Sequence, residues 1–138
     1  MKNCYIAAGW FNPELLKDLT DIKEVLDELG LTYYSPKDEQ GDLTKETAQS
    51  IFCEDVDQIE NCEFMVVSVK DVGAVWEAGY GFAHLKPIIY YWTSKETLNM
   101  MIEKSGQAVA TTREELKEYI SGIHKNKYFY KSFKGNIH

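Results

Sequence analysis

The feature that most constrains the fold is a nearly continuous apolar run in the middle of the chain. Residues 64–69 are all apolar except Ser68. A run this short and this rich in valine is typical of a central parallel strand that is covered on both faces. Parallel neighbours need crossover connections, which are usually helices. We therefore expect this run to be the centre of a sheet whose strands alternate with helices.

The rest of the chain repeats the alternation. Four further apolar stretches predict strands over residues 4–8, 31–34, 87–92 and 107–110. The first helix is predicted to begin at Pro13 after an Asn12 cap and to end at Gly30. Further helices are predicted over residues 44–61, 72–85 and 96–104 and after a Thr111 or Thr112 cap. The polar residues 37–42 are predicted to form a loop.

This order of elements predicts the fold class. Strands that alternate with helices throughout a chain favour an open parallel α/β sheet with right-handed crossovers. We predict a doubly wound, flavodoxin-like sheet of about five strands with helices on both faces. The 138 residues contain no linker, repeat or low-complexity tract, so residues 1–138 are expected to form a single domain.

Composition excludes several classes of function. A formal net charge of −7 argues against binding to a nucleic-acid polymer, which requires clustered lysine and arginine. No stretch is long and apolar enough for a membrane span, and the apolar N-terminal stretch is too short for a signal peptide. The three cysteines have neither zinc-site nor disulfide-framework spacing, so we expect no metal and a cytoplasmic location.

The candidate site is expected where the carboxyl ends of the strands meet, because ligands bind there in open α/β sheets. Gly9, Trp10 and Phe11 follow the first strand, Gln40 follows the second, and residues 71–77 follow the third. Asp71 and Glu77 in the last segment are both predicted to face this crevice. Capping of the helix alone explains an aspartate at position 71 equally well.

Glu77 is the candidate that most needs a functional explanation. It lies among Val75, Trp76 and Ala78 on a helix that we expect to be largely buried, and a lone buried carboxylate is costly. Trp76 itself is predicted to belong to the core more readily than to a pocket wall. Gly73, Gly79 and Gly81 around this helix are expected to permit the close approach of a ligand or of another backbone.

Other kinds of chemistry find little support in the sequence. No phosphate-binding glycine motif and no nucleophile elbow occurs, and the cysteines have no obvious base partner. His84 is predicted to be a surface or capping residue, and no pair of histidines has metal-ligand spacing.

Five segments together resemble the nucleoside 2-deoxyribosyltransferase family. They are residues 5–11, 35–40, 54–59, 71–80 and 98–101, and they occur in the family's order. The most specific is the Asp-x-Gly-x-x-x-Glu-x-Gly core that Asp71, Gly73, Glu77 and Gly79 form after the third strand. The resemblance covers about residues 4–104 and does not extend to the aromatic tail at residues 128–133.

The resemblance implies roles for individual residues. Glu77 matches the family's nucleophile, and Tyr5 matches the tyrosine that orients this carboxylate. Asp55 and Asp71 match two aspartates that contact the nucleoside and assist proton transfer to the base, and Gln40 matches the base-recognising glutamine. The remaining substrate-binding residues implied are Gly9, Trp10, Phe11, Gly73, Asn99 and Met101.

The resemblance also implies partners and a mechanism. Glu77 would attack the anomeric carbon of a 2′-deoxynucleoside as the carboxylate of a retaining glycosidase does, and a free nucleobase would then accept the sugar. No cofactor is implied, because carboxylates supply both nucleophile and acid. Asn99 and Met101 match residues that a neighbouring subunit lends to the site, which implies a homo-oligomer built from dimers, up to a hexamer.

Two other functions remain open from the sequence. A nucleoside or nucleotide N-glycosidase of the same superfamily would pass the sugar to water, although the carboxylate of Asp71 disfavours a phosphorylated substrate. A non-catalytic nucleotide-binding module would keep the pocket without activity. The tail at residues 128–133 is expected either to pack on a subunit surface or to fold towards the site.

Overall fold

The computed structural model describes all 138 residues and contains one parallel five-stranded sheet. The strand order is β2-β1-β3-β4-β5. This arrangement confirms the predicted doubly wound, flavodoxin-like α/β fold, and the apolar run at residues 64–69 supplies the central strand. In chain order the elements are β1 (Cys4–Ala7), α1 (Pro13–Glu28), β2 (Tyr33–Tyr34), α2 (Pro36–Glu39), α3 (Ala48–Asn61), β3 (Phe64–Val67), α4 (Val72–Ala83), β4 (Ile88–Tyr91), α5 (Met100–Ser105), β5 (Ala108–Ala110) and α6 (Arg113–Lys125).

The two faces of the sheet carry separate apolar cores. Since side chains alternate along a strand, Cys4 and Ile6 of β1 pack on one face with α1 and α6. Tyr5 and Ala7 pack on the other face with α3 and α4. The strands are buried throughout, which explains why they read as continuous apolar runs. The alternation also directs Tyr5 towards the helix that carries Glu77.

Several predicted boundaries were wrong for local reasons. The predicted loop at residues 37–42 contains α2, which Pro36 begins at its first helical position. Helix α3 begins at Ala48 instead of residue 44, because the Thr47 hydroxyl donates to the Asp42 carbonyl and accepts from the Thr44 backbone, which forms a turn. Helix α5 begins only after Asn99, whose side chain caps it by accepting from the Met101 amide at 2.8 Å.

Helix α4 is less buried than the sequence suggested. Only Ala74, Ala78 and Gly81 are fully enclosed. The outer face is apolar and exposed, with Val72 at 86% and Phe82 at 54% exposure. The expectation of a largely buried helix was therefore wrong, because α3 and α5 leave this face uncovered.

The C-terminal tail packs on its own chain. The Lys131 amide donates to the Gln107 carbonyl at 2.9 Å, and Leu98 and Ile137 form an isolated parallel bridge. None of residues 126–138 lines the pocket that contains Glu77. No helix of the structure combines the length and apolar composition that crossing a membrane requires.

Candidate active site

A pocket of about 380 Å³ opens at the carboxyl ends of β1, β2 and β3. The elements that follow these strands supply its walls, as expected for an open α/β sheet. Three carboxylates, four aromatic rings and one glutamine amide contribute to the lining. The lining residues are Ala8, Trp10, Phe11, Pro36, Gln40, Phe52, Asp55, Val56, Ile59, Asp71, Gly73, Trp76 and Glu77.

Glu77 is held by a short hydrogen bond from Tyr5. The Tyr5 hydroxyl donates to the Glu77 carboxylate, and Tyr5 itself is completely buried in β1. A buried phenol on a central strand moves little, so the carboxylate has a fixed orientation. Burial and the neighbouring negative charge of Glu77 both raise the pKa of Tyr5, which therefore stays a donor.

Burial sets the ionisation of Glu77. Desolvation raises the pKa of this carboxyl to about 7, and the charges of Asp55 and Asp71 act in the same direction. The hydrogen bond from Tyr5 opposes them by stabilising the ionised form. Glu77 therefore changes charge close to neutral pH, well above the range of an ordinary glutamate.

A second tyrosine and carboxylate pair lies beside the first. Tyr34, at the end of β2, donates to the Asp55 carboxylate on α3 at 3.3 Å. The rings of Tyr5 and Tyr34 stack with centroids 5.6 Å apart and an interplanar angle of 16°. Burial raises the pKa of Asp55 to about 6, and the hydrogen bond from Tyr34 works against this rise. Two carboxyls with different pKa values thus share one pocket.

Asp71 has both roles that the sequence left open. Its side chain caps α4 by accepting from the Ala74 amide at 3.2 Å, and it also lines the pocket. Gly9 lies directly behind it: a Cβ on Gly9 would lie 3.1 Å from the Asp71 Cβ. Gly9 is therefore close to the site without lining the pocket, and its missing side chain lets the β1 and β3 loops approach each other.

The glycines of α4 have different environments. Gly73 lines the pocket. A Cβ on Gly81 would lie 2.1 Å from the Met65 sulfur, so this glycine allows α4 to pack against β3. A Cβ on Gly79 would meet nothing within 4 Å. The close approach at Gly81 is thus to a side chain rather than to a ligand or another backbone, and Gly79 faces open space.

Asn99 and Met101 lie away from the Glu77 pocket of their own chain. They line a separate cleft together with Val75, Ile102 and His138. Met101 is 69% exposed. Neither residue lines the pocket that contains Glu77 in the same chain.

The structure adds pocket residues that sequence reasoning missed. Trp76 was expected to belong to the core, but it is 49% exposed and forms part of the pocket wall. Phe52, Val56 and Ile59 line the pocket from α3, where they share a helix face with Asp55. Their three- and four-residue spacing was a usable signal. His84 follows the last turn of α4 as a capping residue, as predicted.

The chain is similar to solved structures of known activity. A 2-deoxyribosyltransferase from Bacillus psychrosaccharolyticus matches with a TM-score of 0.76 and 27% identity, over 84% of this chain and 90% of that one. A 2-desoxiribosyltransferase from Leishmania mexicana matches with a TM-score of 0.63 and 16% identity, over 91% and 99% of the two chains. A CMP N-glycosidase from Clostridium botulinum matches with a TM-score of 0.58 and 18% identity, over 86% and 96%. The last two similarities concern the fold alone.

The family assignment rests on the sequence match. No protein with a curated function matched this sequence. The model of the family described as nucleoside 2-deoxyribosyltransferase matches residues 4–111, which includes every element from β1 to β5. The matched range contains Tyr5, Asp55, Asp71 and Glu77, the four residues that the resemblance had assigned to catalysis. The chain belongs to the nucleoside 2-deoxyribosyltransferase family, a family of enzymes that act on N-glycosidic bonds.

Proposed function

We propose that the protein transfers a 2-deoxyribosyl group from a 2′-deoxynucleoside to a free nucleobase through a covalent intermediate on Glu77. The observation that carries this proposal is the hydrogen bond from Tyr5 to Glu77 within a pocket that Asp55 also lines. Membership in the family supports a substrate with an N-glycosidic bond. The 27% identity to a bacterial 2-deoxyribosyltransferase supports transfer of a deoxyribosyl group.

In the first step a Glu77 oxygen attacks the anomeric carbon of the sugar. A bond forms between this oxygen and the carbon, while the bond from the carbon to the base nitrogen breaks and its electron pair stays on the base. The ionised form of Glu77 is the reactive one. Tyr5 holds one carboxylate oxygen, which leaves the other oxygen to react.

The departing base needs a proton, and a neighbouring carboxyl group can supply it. Asp55 and Asp71 both line the pocket. Asp55 is the proposed donor because burial raises its pKa to about 6. The reactive form has Glu77 ionised and Asp55 protonated, and it is a minority near neutral pH because the pKa of Glu77, about 7, does not lie below that of Asp55. Asp71 accepts from the Ala74 amide and lines the pocket, so it is placed to bind a hydroxyl or an amine of the substrate.

In the second step a free base takes the sugar from Glu77. A nitrogen of the incoming base attacks the anomeric carbon, the ester bond to Glu77 breaks, and the proton lost by the base returns to the carboxylate that gave one up. The carboxyl groups complete both steps between them, so the proposed reaction requires no cofactor. Gln40 lines the same pocket and presents an amide that can pair with the edge of the base.

We also propose that subunits complete one another's sites. Asn99 and Met101 lie in a cleft beside the exposed apolar face of α4, where Val75 and Phe82 are also accessible. A contiguous apolar surface of this kind is typical of a protein interface. A dimer formed through this surface would bring Asn99 of one chain close to the substrate of the other.

The proposal is tested by incubating the purified protein with thymidine and adenine and separating the products by liquid chromatography. The wild type should form deoxyadenosine and thymine in equal amounts. Glu77→Gln keeps the shape of the side chain but removes the nucleophile, so the rate should fall on the order of 10³-fold or more. Glu118→Gln is the matched control, since Glu118 is exposed on α6 and should leave the rate unchanged.

Other products would contradict the proposal. Release of thymine without deoxyadenosine would identify an N-glycosidase that passes the sugar to water, a possibility raised by the fold similarity to the CMP N-glycosidase. An unchanged mixture, also with deoxyinosine as donor, would indicate a binding module. The covalent step is checked separately, since wild type quenched with thymidine alone should show the mass of one added deoxyribosyl group.

A further inference from the structure

Two exposed aromatic side chains form one wall of the pocket. Phe52 of α3 and Trp76 of α4 meet with ring centroids 5.4 Å apart and an interplanar angle of 57°. They are 48% and 49% exposed, although both line a largely apolar cavity. Aromatic side chains of this size are usually more buried than these two. We call the pair the aromatic wall.

The orientation of Trp76 is fixed from behind. Tyr80, one turn later on α4, stacks on the indole with centroids 5.4 Å apart and an interplanar angle of 9°. The Tyr80 hydroxyl in turn donates to the Glu60 carboxylate on α3. Trp76 is thus supported on one side by a stacked ring.

The aromatic wall adjoins the reactive groups. Trp76 directly precedes Glu77, and Phe52 lies one helical turn before Asp55. Trp10 and Phe11, with ring centroids 5.0 Å apart, line the same pocket from the β1 loop. The carboxylates therefore define the sugar end of the pocket, and flat apolar surfaces define the space that the base would occupy.

We propose that the aromatic wall of Phe52 and Trp76 stacks on the nucleobase and makes the site favour purines over pyrimidines. The role depends on the proposed function in one respect, since the pocket must accept nucleobases. A bicyclic purine offers a larger face than a pyrimidine, so it gains more from each ring that it contacts. One stacked ring typically changes the affinity for a base by about 5- to 150-fold.

The experiment measures binding of free adenine and free cytosine by titration calorimetry. No nucleoside is present, so no transfer can occur. The variants are Trp76→Leu, Trp76→Phe and Phe52→Leu. The matched control is Tyr128→Leu, because Tyr128 is an exposed aromatic residue of the C-terminal tail, 77% exposed, that does not line the pocket.

The wild type should bind adenine more tightly than cytosine. Trp76→Leu should weaken adenine binding roughly tenfold and cytosine binding by a smaller factor, so the selectivity ratio shrinks. Phe52→Leu should act in the same direction, Trp76→Phe should retain most of the selectivity, and Tyr128→Leu should change neither affinity. Circular dichroism should show unchanged folding, since both wall residues are about half exposed.

Three results would overturn the proposal. They are equal losses for both bases, no loss for either base, and no detectable binding of adenine to the wild type. If the Phe52 and Trp76 variants have a lower oligomer mass in light scattering but an unchanged selectivity ratio, these two residues belong to a subunit contact instead. The transfer assay tests the proposed function separately. If transfer occurs but Trp76 does not affect the preference between bases, the proposed function stands and the role of the aromatic wall is wrong. If the protein binds purines selectively but transfers nothing, the role of the aromatic wall stands and the proposed function is wrong.

Discussion

The phenol of Tyr5 and the carboxylate of Glu77 are joined by a hydrogen bond although 72 residues separate them in the chain. This bond lowers the pKa of Glu77, while burial and the neighbouring carboxylates raise it to about 7. Tyr5 belongs to the central part of the sheet, and Glu77 belongs to a helix at its surface. The pair therefore links the orientation of the proposed nucleophile to the buried sheet.

Tyr5→Phe should shift the pH dependence of transfer. Without the hydroxyl, the pKa of Glu77 rises above about 7, so a smaller fraction of Glu77 carries the negative charge that the reaction needs, above all on the acidic side of neutrality. The rate should fall more at pH 6 than at pH 8. Tyr34→Phe is the comparison, since it should raise the pKa of Asp55 from about 6 and move the alkaline limb upwards. An equal loss at every pH would show that Tyr5 does not control this ionisation.

Glu77→Gln should stabilise the protein at neutral pH. Burial raises the folded-state pKa of Glu77 from 4.5 to about 7, so the wild type loses stability as pH rises through this window. Below pH 4.5 the side chain is neutral in both states and the variant should gain nothing. At pH 8 the gain should be roughly 1–3 kcal/mol, measured by urea unfolding at both pH values. Equal gains at pH 4 and pH 8 would contradict the assignment.

Mixing two inactive variants should restore activity if the site is shared between subunits. Glu77→Gln lacks the nucleophile, and Asn99→Ser lacks the amide proposed to reach the neighbour's substrate but keeps a side-chain cap for α5. After unfolding and refolding together, a mixed dimer contains one site with both native residues. We expect activity approaching about a quarter of the wild-type value from random pairing in a dimer. Absence of recovery would place Asn99 outside the site.

Two glycines of α4 should respond to alanine in opposite directions. Gly79→Ala adds a methyl group where nothing lies within 4 Å, so it should stabilise the helix by about 1 kcal/mol. Gly81→Ala places a Cβ 2.1 Å from the Met65 sulfur and should destabilise the protein by about 1–3 kcal/mol. Thermal unfolding of the two variants measures both effects. A destabilising Gly79→Ala would show that this surface is covered in the assembled protein.

Much of the fold could be predicted because its strands are buried on both faces. The apolar run at residues 64–69 indicated the central strand, and the order of elements then fixed the parallel sheet. Asp71, Glu77 and Gln40 could be expected in one crevice because they follow strands whose carboxyl ends meet. These inferences use only periodicity and topology, which are written in the local sequence.

The rest of the site depends on how distant elements pack. The bond from Tyr34 to Asp55 joins the end of β2 to α3, and nothing local to either residue indicates it. Trp76 was assigned to the core because its neighbours are apolar. Its exposure follows from the position of α3, which leaves the outer side of α4 uncovered. The start of the short helix α2 is likewise determined by a single proline, Pro36, rather than by a periodic apolar pattern.

The pocket is divided between two kinds of structure, and the division has an evolutionary consequence. Tyr5 and Glu77 lie on elements tied to the buried sheet, while Gln40 and Phe52 flank the exposed segment of residues 41–47. Under the proposed function, substitutions at Gln40 and Phe52 would alter the preference for a base without changing the elements that hold the carboxylate. Descendants of this chain would then acquire new base preferences at these two peripheral positions, and directed evolution for synthetic nucleoside production should place its libraries there.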